Sequence, residues 1–118
     1  THDERQQMRE RWGLDLVHVD AIDNFRDTDG FAALVAACDQ VVSVSNTTVH
    51  VAGALGVPVQ VMLPRTAGRI WYWHHGRSDS PWYASVRLLR QQTLGDWRPV
   101  IEAVAAELSK TLDRMEAK

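Results

Sequence analysis

The sequence predicts an α/β domain, a Rossmann-like three-layer fold with a mostly parallel sheet. Short apolar, β-branched runs alternate four times with helical stretches, a pattern typical of parallel strands joined by crossover helices. One of these runs ends in the small polar turn Ser45-Asn46-Thr47-Thr48, which opens a helix of small residues. The length of 118 residues is enough for one domain with one core.

The chain begins with a charged helix over residues 3–12, which Gly13 is predicted to end. A short strand is predicted over Leu16-Val17-His18-Val19, followed by a loop over 20–27. An α/β domain usually opens on a buried strand, whereas this chain opens on a crossover-type helix. We therefore expect residues 1–118 to be the C-terminal domain of a longer protein, without its first strand.

The next helix is predicted to start at Asp27 or Thr28, either of which is a suitable N-cap. Capping is favoured over ligand contact for Thr28, although it opens a helix at a strand-end loop. The apolar positions follow the spacing of one buried helix face and are Phe31, Leu34, Val35 and Cys38. The single cysteine is therefore predicted to be a buried small hydrophobe rather than a nucleophile.

The remaining elements are predicted from periodicity and from Gly/Pro signals. Residues 40–44 indicate a strand covered on both faces, and residues 47–55 a helix that Gly56 and Pro58 end. Strands follow at 57–63 and 86–89, and Asp96 is predicted to cap a last helix that reaches about Glu116. The core stripe of that helix is predicted to be Trp97, Val100, Ile101, Val104, Leu108, Leu112 and Met115.

The segment 64–85 is too long and too aromatic for an ordinary connection. It holds three of the five tryptophans, both tyrosines and the adjacent pair His74-His75, which is a poor zinc pattern. Its rings either wall a base or sugar site or fill a small core of the loop itself; they are Trp71, Trp73, Trp82 and Tyr83. Asp79-Ser80-Pro81 indicates a turn in which Asp79 bonds its own backbone, and Arg77 and Asp79 are predicted to reach a ligand.

The turn Ser45-Asn46-Thr47-Thr48 is the strongest functional signal in the chain. A helix start has unpaired N–H groups and the positive end of the peptide dipole, so it favours anions such as pyrophosphate. The structural alternative is that Ser45 or Asn46 is simply the N-cap. Ligands of open α/β sheets bind beyond the carboxyl ends of strands. Since this turn and the segment 64–85 both follow strand ends, their shared edge favours ligand binding.

Composition excludes several other classes. The net charge of −2 gives no electrostatic footprint for nucleic acid, and no apolar run approaches the ~20 residues of a membrane helix. With no signal peptide either, a cytoplasmic location is expected. The sequence has no phosphate-binding Gly-x-x-x-x-Gly-Lys-Ser/Thr loop and no Gly-x-Ser-x-Gly elbow, which disfavours a kinase or a hydrolase.

Two runs of residues resemble glycosyltransferase family 9, the heptosyltransferase group, and especially its relatives fused to tetratricopeptide repeats. The first run is Asp39 to Pro58, and the second is Asp79-Ser80-Pro81-Trp82-Tyr83 with the following Val86 to Gln91 and Asp96-Trp97. The similarity covers residues from about 27 to 108. It implies the C-terminal, donor-binding half of a GT-B fold, which has two Rossmann-like domains around one active site.

The resemblance also implies roles for the turn. Thr47 and Thr48 would hold the pyrophosphate of a nucleotide diphosphate-sugar donor, as does the similar His-Thr-Thr turn of protein O-GlcNAc transferase. The heptosyltransferase pattern Asp-Thr-Gly-x-x-His is here Ser45-Asn46-Thr47-x-x-His50, so its Asp and Gly are missing. His50 would bond a phosphate oxygen or a sugar hydroxyl; a hydrogen-bonded structural histidine is the equal alternative.

The remaining expectations concern partners and activity. No metal or other cofactor is expected, and the catalytic base would belong to an N-terminal acceptor domain, so the isolated chain is expected to be inactive. Exposed sheet edges favour association into a homo-oligomer. The alternative to a glycosyltransferase is a non-catalytic Rossmann-like interaction module that uses the segment 64–85 for protein contacts.

Overall fold

The computed structural model describes residues 1–65 and 70–118. Its secondary structure consists, in chain order, of helix α1 (His2–Trp12), helix α2 (Thr28–Ala36), strand β1 (Val41–Val44), helix α3 (Thr47–Ala54), strand β2 (Val59–Leu63), one 3₁₀ turn (Trp71–Trp73), strand β3 (Val86–Arg90) and helix α4 (Arg98–Glu116). The chain divides into two compact units, Thr1–Phe31 and Ala32–Lys118.

The first unit is built around α1, which has no buried residue. Thr1 and Glu4 form a capping box at its start, and Gly13 ends it with φ 66°, as predicted. The strand predicted over 16–19 is wrong: this segment has no regular secondary structure, and Val17 is 89% exposed. A strand needs a neighbour's backbone for its hydrogen bonds, and the strands of the described residues all lie between 41 and 90.

Helix α2 begins where its sequence predicts. The Asp27 Oδ1 atom accepts a hydrogen bond from the Gly30 amide at 2.8 Å, so Asp27 satisfies one of the open amides of the first turn. Val35 is the buried residue of this helix. The predicted burial of Cys38 is wrong, because the cysteine is exposed. Helix α2 ends at Ala36, so Cys38 lies two residues beyond the helix and does not continue its buried face.

The second unit has a three-stranded parallel sheet in the order β1-β2-β3. Val41 of β1 is level with Val59 of β2, and Val59 is level with Val86 of β3. This confirms the predicted α/β, Rossmann-like arrangement. The described residues form three strands, whereas the sequence predicted four strands that alternate with helices.

The strands differ in how they are covered. Strand β2, in the middle, is buried over almost its whole length. The prediction that β1 is covered on both faces is wrong, because Val42 is 38% exposed and Val44 is 49% exposed. The physical reason is position: β1 is an edge strand of the sheet, so fewer neighbours cover its second face.

Helix α3 packs on β1 and β2 and ends in a Schellman motif. The Val57 amide donates to the Ala52 carbonyl at 2.9 Å, and the Gly56 amide donates to the Gly53 carbonyl at 3.2 Å. Gly56 has φ 73°, a left-handed conformation that favours glycine. The predicted end of this helix at Gly56 is thus confirmed.

Helix α4 packs on β3, but only its first turns are buried. Val100 and Val104 are buried, whereas the predicted core positions Ile101, Leu112 and Met115 are 56%, 58% and 47% exposed. The helix has 19 residues and is therefore about 28 Å long, whereas the five residues of β3 span only about 17 Å. Leu112 and Met115, in the C-terminal part of the predicted stripe, therefore have no sheet to cover. Ile101 is exposed for another reason: it follows Val100 directly, so it points about 100° away from that buried residue around the helix.

The start of α4 differs from its predicted cap by one residue. Trp97 occupies the N-cap position, and Pro99 lies in the first turn, where its missing N–H costs nothing. The Asp96 carboxylate still accepts a hydrogen bond from the Arg98 amide at 3.1 Å. None of the helices in residues 1–65 and 70–118 combines the length and the apolar composition that a membrane span requires.

Candidate functional site

The turn between β1 and α3 lies at the carboxyl end of the sheet and is held by Asn46. This residue is the N-cap of α3, with an extended backbone (φ −158°) and a side-chain Oδ1 that accepts from the Thr48 amide at 3.0 Å. The Ser43 hydroxyl lies 3.2 Å from the same oxygen and 2.9 Å from the Val44 carbonyl oxygen, and it has one proton to share between them. The structural alternative is therefore confirmed for Asn46, which satisfies one open amide of the helix.

Thr47 and Thr48 form the first turn of α3. Thr47 is exposed and Thr48 is half-buried, and within the described part of the chain neither hydroxyl forms a hydrogen bond. The N–H of Thr47 belongs to the first turn, whose donors have no acceptor inside the helix. The positive end of the helix dipole therefore carries two hydroxyls and an amide that have no partner among the described residues.

Ser45 connects the turn to the aromatic segment. Its Oγ atom accepts a hydrogen bond from the Trp73 indole N–H at 2.8 Å, and Trp73 is only 1% exposed. A serine hydroxyl that accepts in this way still has its own proton to donate. The contact fixes the position of the turn relative to the 3₁₀ turn Trp71–Trp73.

His50 is enclosed by aromatic residues. Its Nδ1 atom lies 3.0 Å from the Tyr83 hydroxyl, and its Nε2 atom lies 3.3 Å from the Tyr72 hydroxyl. Its ring is stacked on Trp73, with 5.4 Å between ring centroids and 16° between planes. Because both ring nitrogens are engaged with tyrosine hydroxyls, the geometry favours the structural alternative for His50 over contact with a ligand.

The aromatic residues of the segment divide into an inner and an outer set. Trp73 is buried and Tyr83 is half-buried, whereas Trp71 is 74% exposed and Trp82 is 56% exposed. The inner set therefore fills a small core of the segment, as the second alternative predicts, whereas the outer set faces solvent and its role as a wall of a ligand site stays a prediction. Residues 66–69 of the predicted segment lie outside the described residues.

Ser80 organises the turn that presents these rings. Its hydroxyl accepts from the Trp82 amide at 3.2 Å and from the Tyr83 amide at 3.3 Å. The Asp79 carboxylate instead pairs with the Arg77 guanidinium. The serine is thus the residue that satisfies the open amides of this turn.

Arg77 and Asp79 lie away from the β1–α3 turn. The Arg77 guanidinium donates two hydrogen bonds of 2.8 Å to the Asp79 carboxylate, and these hold the pKa of Asp79 below its ordinary value of 3.8. Asp79 forms an antiparallel bridge with Arg87 on the outer edge of β3, and β3 is at the opposite edge of the sheet from β1. The structure therefore does not bring this pair to the predicted pyrophosphate position.

Other features of the second unit lie outside the turn. A surface cavity of about 440 Å³ lies between residues 76–78, the end of β3 and the first turns of α4. His74 has φ 51° and its ring stacks on Trp82, with 6.5 Å between centroids. The described residues contain no group of three side chains suited to a metal ion.

Two residues that contact His50 or Tyr83 were missed by the sequence reasoning. Tyr72 bonds His50, and Gly53 gives Tyr83 room beside α3: a Cβ atom on Gly53 would lie 2.5 Å from Tyr83 Cγ. The signal for Gly53 was its place inside a helix, where glycine is costly and so indicates a packing reason. No local signal identifies Tyr72 as a partner of His50, because 22 residues separate them.

Replacing Asn46 with alanine is expected to lower the free energy of unfolding by about 1 kcal/mol, because the Thr48 amide loses its acceptor. Urea denaturation followed by circular dichroism measures the change. Asn24→Ala, in an exposed loop, is the matched control and is expected to stay within about 0.5 kcal/mol of the parent. Equal effects of the two substitutions would contradict the capping role.

Comparison with known proteins gives one informative similarity. No family model matches the chain, and no solved structure matches it. The chain is 36% identical over 100 residues to Protein FlbA of Caulobacter vibrioides. The matched region is 85% of this chain but 16% of FlbA, so the chain corresponds to a small part of that relative.

Proposed function

We propose that this chain is the donor-binding part of a glycosyltransferase that uses a nucleotide diphosphate-sugar. The observation that carries the proposal is the first turn of α3, where the hydroxyls of Thr47 and Thr48 have no internal partner in the described chain. The flanking residues are fixed, Asn46 as the N-cap and Ser45 by the Trp73 indole. A fixed, positive helix start with free donors is suited to pyrophosphate.

The proposed mechanism is electrostatic. Breaking the bond between the sugar and the diphosphate builds negative charge on the leaving phosphate. Hydrogen bonds from Thr47 and Thr48 at the positive end of α3 would stabilise that charge in the transition state. These hydrogen bonds would need little rearrangement of the protein, because the contacts of Asn46 and Ser45 already hold the turn in place. In this proposal the acceptor and the catalytic base belong to a second Rossmann-like domain of a GT-B enzyme.

The test is calorimetric titration of the chain with UDP, GDP and ADP. We expect one of them to bind, and the double substitution Thr47→Val, Thr48→Val to weaken that binding more than tenfold. Hydrogen bonds to charged groups contribute about 1.5–3 kcal/mol each, and valine keeps the branched shape while removing the hydroxyl. Thr28→Val, also at the first position of a helix, is the matched control and is expected to bind as the parent does. Binding that is unchanged in the double variant would contradict the proposal.

A second candidate is a non-catalytic interaction module. It is favoured by the internal engagement of Asn46 and His50 and by the exposure of Trp71 and Trp82. The same titration separates the two candidates, because the module predicts that no nucleoside diphosphate binds.

A further inference from the structure

Helix α4 carries an apolar stripe that the sheet leaves uncovered. Its positions alternate in steps of four and three residues, and they are Ile101, Ala105, Leu108, Leu112 and Met115. Leu108 is half-buried, and the other four residues are exposed. This spacing is the heptad pattern by which two helices pack along a common seam. A contiguous apolar surface that stays exposed is typical of an interaction site.

The apolar stripe lies beside the face of α4 that packs on the sheet. Val100 and Val104 are the buried residues of this helix. Since each residue turns the helix by about 100°, the centre of the stripe lies about 80° around the helix from these two valines. Lys110 and Asp113, both exposed, lie on the far side. A second helix can therefore lie along the stripe without displacing α4 from β3.

The sizes of the stripe residues suit a second copy of the same helix that runs antiparallel. Around a twofold axis, the heptad register places Ala105 of each copy against Leu108 of the other, so both central layers combine a small residue with a large one. The outer layers combine Ile101 with Leu112. A parallel pair in register would instead place Ala105 against Ala105, and two small residues in one layer leave a gap that costs stability.

The charges at the two ends of the stripe favour the same orientation. Arg98 lies at the start of α4 and Glu116 at its end, and both are exposed. Within the described residues, neither side chain forms an ion pair. In the antiparallel register, Arg98 of each copy lies within one residue of level with Glu116 of the other. A parallel pair would place Arg98 beside Arg98, where like charges repel.

We propose that the apolar stripe is the contact surface for a second copy of this chain, with the two α4 helices antiparallel. The seam from Ile101 to Met115 is about 21 Å long. Stable interfaces bury about 1,200–2,000 Å² in total, which so short a helix pair does not reach. The dimer is therefore expected to be weak, with a micromolar dissociation constant. It does not depend on nucleotide binding at the start of α3.

The test is sedimentation velocity of the whole chain at concentrations from about 5 to about 500 µM, where a weak dimer forms progressively. Leu112→Glu is expected to weaken association more than tenfold, because it places a charge in the apolar seam twice per dimer. Leu112 is 58% exposed, so the circular dichroism spectrum is expected to stay that of the parent. Ala106→Glu adds the same charge at an exposed position on the far side of α4, and this matched control is expected to dimerise as the parent does.

Charge reversal tests the orientation of the two helices. Arg98→Glu is expected to weaken the dimer about fivefold, because it faces Glu116 of the other copy at both ends of the seam. Adding Glu116→Arg to the same chain is expected to restore the parental affinity. If Arg98→Glu strengthens the dimer, the helices are parallel and the antiparallel assignment is overturned.

Two further results would overturn the contact surface itself. One is a parent chain that stays monomeric over the whole concentration range. The other is a dimer that Leu112→Glu leaves intact and that Val44→Glu, at the exposed edge strand β1, dissociates. That result would assign association to the edge of the sheet instead of the stripe on α4.

Discussion

Replacing Trp73 with alanine is expected to lower the free energy of unfolding by about 3–5 kcal/mol, the range for deleting a buried large aromatic side chain. Trp73 is 1% exposed, it stacks on His50, and its indole N–H donates to Ser45. Its removal therefore leaves a cavity and also releases the turn that precedes α3. Urea denaturation followed by circular dichroism measures the change.

Smaller substitutions separate the packing of the Trp73 ring from the hydrogen bond of its N–H to Ser45. Trp73→Phe keeps an aromatic ring and removes the N–H, whereas Ser45→Ala keeps the indole and leaves its N–H without an acceptor. An unsatisfied buried donor costs about 1–3 kcal/mol, so Ser45→Ala is expected to fall in that range. The two changes remove the same hydrogen bond, and together they are expected to cost less than the sum of their separate effects.

Trp12 provides the control for Trp73, because it is 62% exposed in α1. Trp12→Ala is expected to change the free energy of unfolding by no more than about 0.5 kcal/mol. If Trp73→Ala costs no more than Trp12→Ala, Trp73 does not hold the segment to the turn.

The part of the fold that sequence predicts well is the part determined by local chemistry. Helix α3 is expected over 47–55 and observed over Thr47–Ala54, because small residues follow an N-cap and a glycine supplies the left-handed residue beyond the end. The turn before it is predictable for the same reason. The Asn46 cap and the two threonines at the helix start depend on neighbours within two residues.

The errors come from contacts between distant parts of the chain. A run such as 16–19 has strand-forming residues, but strand formation depends on a partner that local periodicity does not supply. The exposed second face of β1 follows from its place at the edge of the sheet, which strand order decides. The partners of His50 lie 22 and 33 residues along the chain, so spacing within the motif gave no preference between ligand and structural roles.

Replacing Gly53 with alanine is expected to destabilise the protein by about 2 kcal/mol, against the usual preference of helices for alanine. The new Cβ atom would lie 2.5 Å from Tyr83 Cγ and 2.9 Å from both Tyr83 Cδ atoms. Cγ is the ring atom nearest the backbone, so the ring cannot swing away without moving its own chain. Overpacking of this kind costs about 1–3 kcal/mol, and so close a contact belongs at the upper end, above the gain of about 1 kcal/mol in helix propensity.

A double-mutant cycle with Tyr83→Ala identifies the cause of the Gly53→Ala effect. With the ring removed, Gly53→Ala is expected to become neutral or stabilising by up to about 1 kcal/mol, because the propensity gain remains and the clash does not. Ala54→Gly, at the next and exposed position of α3, measures the propensity contribution in the same helix. A rise in melting temperature for Gly53→Ala alone would contradict the close approach of Tyr83 to α3. Since the Tyr83 hydroxyl also bonds His50, the aromatic enclosure of that histidine would then need revision too.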